Sequence, residues 1–238
     1  MSDLMQVWRD LVVANRICAR EGLMDAYGHV SARHPENPRR YLLSRSRSPE
    51  VVTIDDIMEY EQDGRPVDQK GRAIYAERFI HGGVYEVRPD VHCVIHNHAY
   101  EVIPFGVTGT PIKPLLHSAA RIGGEVPTWD IADKFGDTNL LVVNMEQGRD
   151  LAKCLGNRPT ALMRGHGCVV CGPSIRGTVL TAIYLMVNAR LQTEAMRMGE
   201  VRYLSAGEIA ARLREEQGDI GYHRAWEYLR SRAGCLDM

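Results

Sequence analysis

The segment Val94-Ile95-His96-Asn97-His98-Ala99-Tyr100 passes from apolar residues into two histidines separated by one residue. Side chains at i and i+2 of an extended segment point to one face, so both imidazoles can be aimed at one point while Asn97 turns away. A divalent cation needs that arrangement. Taken alone, the pair equally fits polar residues at a strand end. A third imidazole comes from Arg164-Gly165-His166-Gly167. Glycines on either side of His166 allow a sharp turn and the close approach of another group, which would present the ring into a cleft. By itself, His166 also fits a hydrogen-bonded core residue. Glu77, in Tyr75-Ala76-Glu77-Arg78-Phe79, adds a carboxylate just ahead of the His96 strand, although a charged helical residue is usually solvated. Together, three neutral imidazoles and one carboxylate suit Zn²⁺, Mn²⁺, Fe²⁺ or Co²⁺.

The elements that must position these residues follow from periodicity. Leu4, Val7, Trp8, Leu11, Val12 and Cys18 recur at helical spacing, with Gly22 placed to end the helix. Residues 26–33 and 40–44 read as strands, and Asp63-Gly64 marks a hairpin-like turn. A helix over 73–87, closed by Pro89, carries Glu77 and leads into a strand over 91–95; another helix begins near His98. Residues 140–143 read as a short strand, Asn144 caps the next helix and Gly156 ends it. Strands over 160–164 and 167–171 flank His166. A long helix covers 174–198, and Ser205-x-x-Glu208 is a capping box that opens one more. Alternating strands and helices with hairpin signals predict an α/β sandwich. The 238 residues show no repeat or linker, so a single domain over 1–238 is expected.

Composition narrows the partners. Lysine plus arginine (29) nearly balances aspartate plus glutamate (30), and no block of like charges suggests a nucleic-acid arm or a membrane-binding face. A small molecule or another protein is the expected partner. The first residues lack a signal-peptide pattern and nowhere do eighteen apolar residues run together, so a cytoplasmic protein is expected. Six scattered cysteines fit reduced thiols, and Cys168-Val-Val-Cys171 reads as buried strand cysteines, not a redox motif.

Gly28-His29-Val30-Ser31, the 19-residue interval from Glu77 to His96, Arg88-Pro89-Asp90 and the later His166-Gly167 together resemble the class II aldolase/adducin family over about residues 5–200. The resemblance implies a three-layer α/β/α sandwich with a central, mainly antiparallel sheet, and a homotetramer with sites at subunit interfaces. It also implies one divalent metal ion held by His96, His98 and His166, with Glu77 as fourth ligand or as acid/base beside the metal.

Departures from the family pattern carry the finer reading. Sugar-phosphate members usually read G-N-V-S and place two serines before the metal-site Glu; here those positions are His29, Tyr75 and Ala76. That disfavours a phosphorylated substrate. Leu43-Ser44-Arg45-Ser46-Arg47-Ser48-Pro49 alternates hydroxyls and guanidiniums, which can grip a carboxylate, although from the stretch alone a solvated basic loop fits better. G-H-V-S-x-R-H-P with L-L-S-R-S-R-S-P-E resembles the family's decarboxylase branch, which acts on carboxylated muconic semialdehydes and dihydroxyphthalates in aromatic catabolism. Loss of CO₂ leaves charge on an enolate oxygen, which a Lewis acid stabilises. The expected enzyme is therefore a carbon–carbon lyase of the decarboxylase type acting on a small carboxylate. Its expected substrate-binding residues are His29, Ser31, Ser44, Arg45 and Arg47. His117, near the place of the family aldolases' catalytic tyrosine, is the expected proton donor, with a structural strand-end histidine as the alternative. His34, His81, His92 and His223 read as ordinary polar residues, and Tyr222 or Tyr228 could close over a neighbouring subunit's site. Other readings are an aldolase on a non-phosphorylated hydroxy-keto acid, a sugar-phosphate aldolase or epimerase, a non-heme iron oxygenase, and an adducin-like interaction module.

Overall fold

A computed structural model of the chain describes residues 3–215 and 220–238. Helix α1 (Asp3–Arg20) buries Leu11, Val12, Ala14, Ile17 and Cys18. Strands β1 (His29–Arg33), β2 (Arg40–Ser44) and β3 (Ile57–Glu61) follow, then α2 (Arg78–Val87), β4 (Cys93–Asn97) and the short α3 (Ile103–Thr108). Next come β5 (Thr128–Trp129), α4 (Ala132–Phe135), α5 (Met145–Leu155), β6 (Thr160–Met163) and β7 (Gly167–Gly172). Helices α6 (Ile175–Met198), α7 (Ala206–Glu215) and α8 (Ile220–Arg232) complete the order.

The strands form one seven-stranded sheet in the order β3-β2-β1-β4-β7-β6-β5. Its ladders are antiparallel except for β5 with β6. Alternation along each strand divides the apolar residues between two faces. Val30, Ala32, Cys93, Ile95, Leu162 and Val170 pack with residues of α1, α6 and α8. Tyr41, Leu43, Val94, Met163 and Val169 pack with residues of α2 and α5. This is the expected three-layer α/β/α sandwich with a mainly antiparallel sheet. No helix among the described residues is long and apolar enough to cross a membrane.

Helices α2 and α5 meet backbone to backbone: a Cβ on Gly83 would overlap the Gly148 main chain, and one on Gly148 would overlap the Phe79 carbonyl. That closeness sets the depth at which α2 lies on the sheet, and with it the positions of Glu77 and His81.

Local expectations fail where tertiary contacts override pattern. The helix expected from residue 73 starts at Arg78, so Glu77 is its N-cap. Residues 73–77 leave helical geometry because the Tyr75 hydroxyl donates to the Arg47 carbonyl and Arg78 Nε donates to the Gly64 carbonyl. The strand expected at 91–95 is β4, shifted to Cys93–Asn97, and the helix expected near His98 begins at Ile103. Residues 140–143 are not a strand. Leu140 has φ +65°, and the Val142 and Val143 amides donate to the Glu77 and Gln147 side chains instead of a neighbouring strand. By contrast, Asn144 caps α5 through the Gln147 amide, and Ser205 and Glu208 form the reciprocal capping box. Cys168 and Cys171 are free, buried residues of β7.

Candidate metal centre

Strand β4 brings His96 to the sheet face covered by α2, and the chain just beyond it carries His98. The β6–β7 turn supplies His166, and the N-cap of α2 supplies Glu77. Ligand-type atoms of these four side chains all lie within 4.8 Å of one another. His96 Nε2 is 2.9 Å from His98 Nε2 and 3.5 Å from Glu77 Oε2, and His166 Nε2 is 3.6 Å from the same carboxylate oxygen. Four ligands at bond lengths of about 2.0–2.1 Å around a tetrahedral Zn²⁺ would stand about 3.3 Å apart. The observed spacings bracket that value.

Two of the three rings are also held in the right tautomer. His96 Nδ1 donates to the Cys168 carbonyl at 3.1 Å, and His166 Nδ1 donates to the Leu140 carbonyl at 3.0 Å. Each ring therefore turns a bare Nε2 toward the cluster, the orientation that outer hydrogen bonds give to metal-bound histidines. Gly167 makes room for this, because a Cβ there would overlap the Asn97 carbonyl and press on the His98 ring.

Electrostatics favour a cation. Burial, reinforced by the neighbouring imidazoles, pushes His98 and His166 down to about 4, so both are neutral ligands at pH 7. Burial would raise the Glu77 carboxyl, but His96, His166 and the Val142 amide outweigh it and hold it at about 2. The donor set of three imidazoles and one carboxylate thus fits a divalent ion of the Zn, Mn, Fe or Co kind.

Comparison with known proteins agrees. Residues 9–193 match the family model described as the class II aldolase and adducin N-terminal domain. This chain belongs to that family. It is 36% identical over 203 residues to the decarboxylase tropJ of Talaromyces stipitatus, covering 80% of this chain and 76% of that protein. It is 27% identical to the 3,4-dihydroxyphthalate decarboxylase of Arthrobacter keyseri, covering 92% and 90%. The L-fuculose 1-phosphate aldolase structure from Glaciozyma antarctica superposes with a TM-score of 0.78 at 22% identity, over 97% of this chain and 92% of that one.

In this class II aldolase fold the cluster opens on a cavity of about 480 Å³ lined by His29, Arg47, Tyr75, Glu77 and His98, among others. Two of the five expected substrate-binding residues, His29 and Arg47, therefore reach it. The other three do not. Ser31 is fully buried and bonded to His81 and Tyr85, and Ser44 is fully buried with its hydroxyl 3.3 Å from that of Tyr75. Arg45 is committed to Asp56, with Nε 2.6 Å from Oδ1.

Asp56 is the residue that organises the Arg loop, and its two arginine partners, eleven and nine residues away, follow no spacing that would reveal it. It also accepts from Arg47 Nη1 at 2.7 Å and from the Thr53 amide and hydroxyl. Burial would raise its carboxyl, but bonds from Arg45, Thr53 and Arg47 hold it at about 2. Arg47 bonds Asp56 through Nη1 alone and is one of the residues that line the cavity.

His117 does not join the cluster of its own chain. It is exposed on a 3₁₀ turn (His117–Ile122) and lines a different cavity, of about 740 Å³, together with Tyr184, Tyr222 and Tyr228. Of the histidines set aside as ordinary, His34 is one: its ring accepts from the Glu36 and Asn37 amides. His81 is the exception. Fully buried, it lies 2.6 Å from His29, and only its place on α2 against β1 reveals it.

Proposed function

We propose that this chain, as a single domain over residues 1–238, is a divalent-metal-dependent decarboxylase of an aromatic-catabolism carboxylate. Its substrate would be of the dihydroxyphthalate or hydroxy-carboxymuconic semialdehyde type. The observation that carries the reading is the make-up of the cavity beside the His/Glu cluster. Arg47, Ser46 and Ser48 offer a guanidinium and hydroxyls to a carboxylate, while Tyr75 stands where the family's sugar-phosphate members place serines. Tyr75 cannot serve a phosphate there, because its hydroxyl is held by the Arg47 carbonyl and its ring lies 4.5 Å from that of His29. The decarboxylases among the relatives support the same reading.

Glu77, His96, His98 and His166 would hold the ion, which when bound supplies Lewis-acid stabilisation of developing negative charge. Arg47 would bind and orient a substrate carboxylate that is not lost, since a fork of N–H donors fixes a planar anion better than an ammonium does. His29 would contact the substrate from β1. His117, exposed on its own chain, would deliver the final proton to carbon in the pocket of a neighbouring subunit of a homo-oligomer, taken here as a tetramer. Six free cysteines support a reducing, cytoplasmic setting.

Product analysis tests this. Protein reconstituted with Mn²⁺, Fe²⁺ or Zn²⁺ should release CO₂ from 3,4-dihydroxyphthalate or from 2-hydroxy-3-carboxymuconic semialdehyde. Failure with both, with pyruvate and an aldehyde formed instead from a non-phosphorylated hydroxy-keto acid, would make it an aldolase.

A further inference from the structure

Behind the cavity, starting from His29, runs a buried chain of polar side chains of which the chemistry above uses only His29. His29 Nδ1 lies 2.6 Å from His81 Nε2, His81 Nδ1 lies 2.6 Å from Ser31 Oγ, and Ser31 Oγ lies 2.9 Å from the Tyr85 hydroxyl. All four residues are at most 3% exposed. His29 and Ser31 share a face of β1, while His81 and Tyr85 stand one turn apart on α2.

Hydrogen counting gives the chain a direction. Ser31 is the one hydrogen-bond partner of the Tyr85 hydroxyl among the described residues. A buried O–H left without an acceptor is costly, so Tyr85 donates to Ser31. Ser31 either donates to His81 Nδ1 at 2.6 Å, or accepts from it and donates to the Val94 carbonyl at 3.5 Å. A 2.6 Å contact lies in the range of an O–H donor and below that of an N–H donor to oxygen, so Ser31 donates to His81. His81 Nδ1 therefore accepts, its proton sits on Nε2, and it donates to His29 Nδ1. His29 is left neutral with its own proton on Nε2, the nitrogen that His81 does not occupy, in a side chain that lines the cavity with Glu77 and His98.

We infer that His29 is a fixed, neutral N–H donor to a substrate oxygen, and that His81 and Ser31 are positioning residues that set its tautomer. Resting on the decarboxylase reading, the oxygen is the substrate's carbonyl or phenol oxygen that takes up charge as CO₂ leaves. A donor on the departing carboxylate would hold charge where the reaction must remove it. A donor on the other oxygen strengthens as charge arrives and needs no reorganisation. His29 transfers no proton: the electron pair of the breaking C–C bond moves toward that oxygen, and the chain keeps its hydrogens throughout.

The test reads the tautomer directly. Long-range ¹H–¹⁵N NMR on the Zn²⁺-loaded, ¹⁵N-histidine-labelled full chain, with His29 assigned by its loss in His29→Gln, should show its proton on Nε2. In Ser31→Ala that preference should be lost, with kcat falling about tenfold and KM staying within about twofold, whereas Tyr85→Phe, which leaves the Ser31 hydroxyl bonded to His81, should keep it. His29 protonated on Nδ1 in the unmodified chain, or a tautomer unmoved by Ser31→Ala, overturns the inference. The NMR readout needs no substrate. A chain with the Nε2–H tautomer that releases no CO₂ would sink the decarboxylase reading and leave the donor assignment supported.

Discussion

His29 and His96 stand directly opposite each other in the β1–β4 ladder, with ring centroids 5.2 Å apart. The histidine that faces the cavity and a histidine of the metal cluster are thus positioned by one antiparallel pair. A slip of one residue would turn both rings to the far face of the sheet. Register therefore fixes the site as firmly as it fixes the core.

Removing His96 takes away a cluster nitrogen that a backbone carbonyl holds in the ligating tautomer. His96→Ala should bind Zn²⁺ or Mn²⁺ about 100-fold more weakly or worse. Metal content by mass spectrometry after dialysis, with circular dichroism as the folding control, checks this. Stoichiometric metal in the variant would remove His96 from the site.

Asp56 links acid stability to the Arg loop. Its folded carboxyl sits at about 2, below the unfolded value of about 3.9, so its contribution is complete above the unfolded value. That contribution declines as pH falls from there through about 2. Asp56→Asn should cost about 1–2 kcal/mol at pH 7, the lower part of the range because both arginines are partly exposed. The difference in Tm between the two proteins should narrow below pH 4. A constant difference from pH 7 to pH 2 would contradict the assignment.

The contact of α2 with α5 is intolerant of a methyl group. Gly83→Ala would set a Cβ into the Gly148 backbone and should destabilise by about 1–3 kcal/mol, measured by urea unfolding. Catalysis should also fall, because α2 carries Glu77 at its N-cap and His81 one turn in. A fully stable, active variant would show that the helix spacing does not set the site.

If His117 serves a neighbour, two inactive variants should complement each other. Mixing His96→Ala with His117→Ala and exchanging subunits should restore about a quarter of the activity, since random pairing leaves that share of interface sites intact. No recovery after demonstrated exchange would return His117 to a structural role.

Much of this was legible in the residues. The period-two spacing of His96 and His98 brought their rings together even though His98 lies just past the end of β4. The caps at Asn144 and Ser205 held because they are satisfied within one helical turn. What stayed hidden was settled by contacts distant in sequence. Arg45 looked like an open substrate donor until Asp56, eleven residues away, claimed it, and Asp56 also takes one donor of Arg47, nine residues away. Glu77 looked helical because its neighbours have helical character, yet loop contacts of Tyr75 and Arg78 hold that segment outside the helix. His81 looked ordinary because its partners lie about fifty residues away on β1.

The most direct test of the account is CO₂ release from 3,4-dihydroxyphthalate by metal-stripped protein, measured before and after adding Mn²⁺, Fe²⁺ or Zn²⁺, beside His96→Ala. The account predicts release that appears only with metal and is lost in the variant. Release undiminished by stripping, or equal in His96→Ala, would contradict a metal-dependent decarboxylase built on these four side chains.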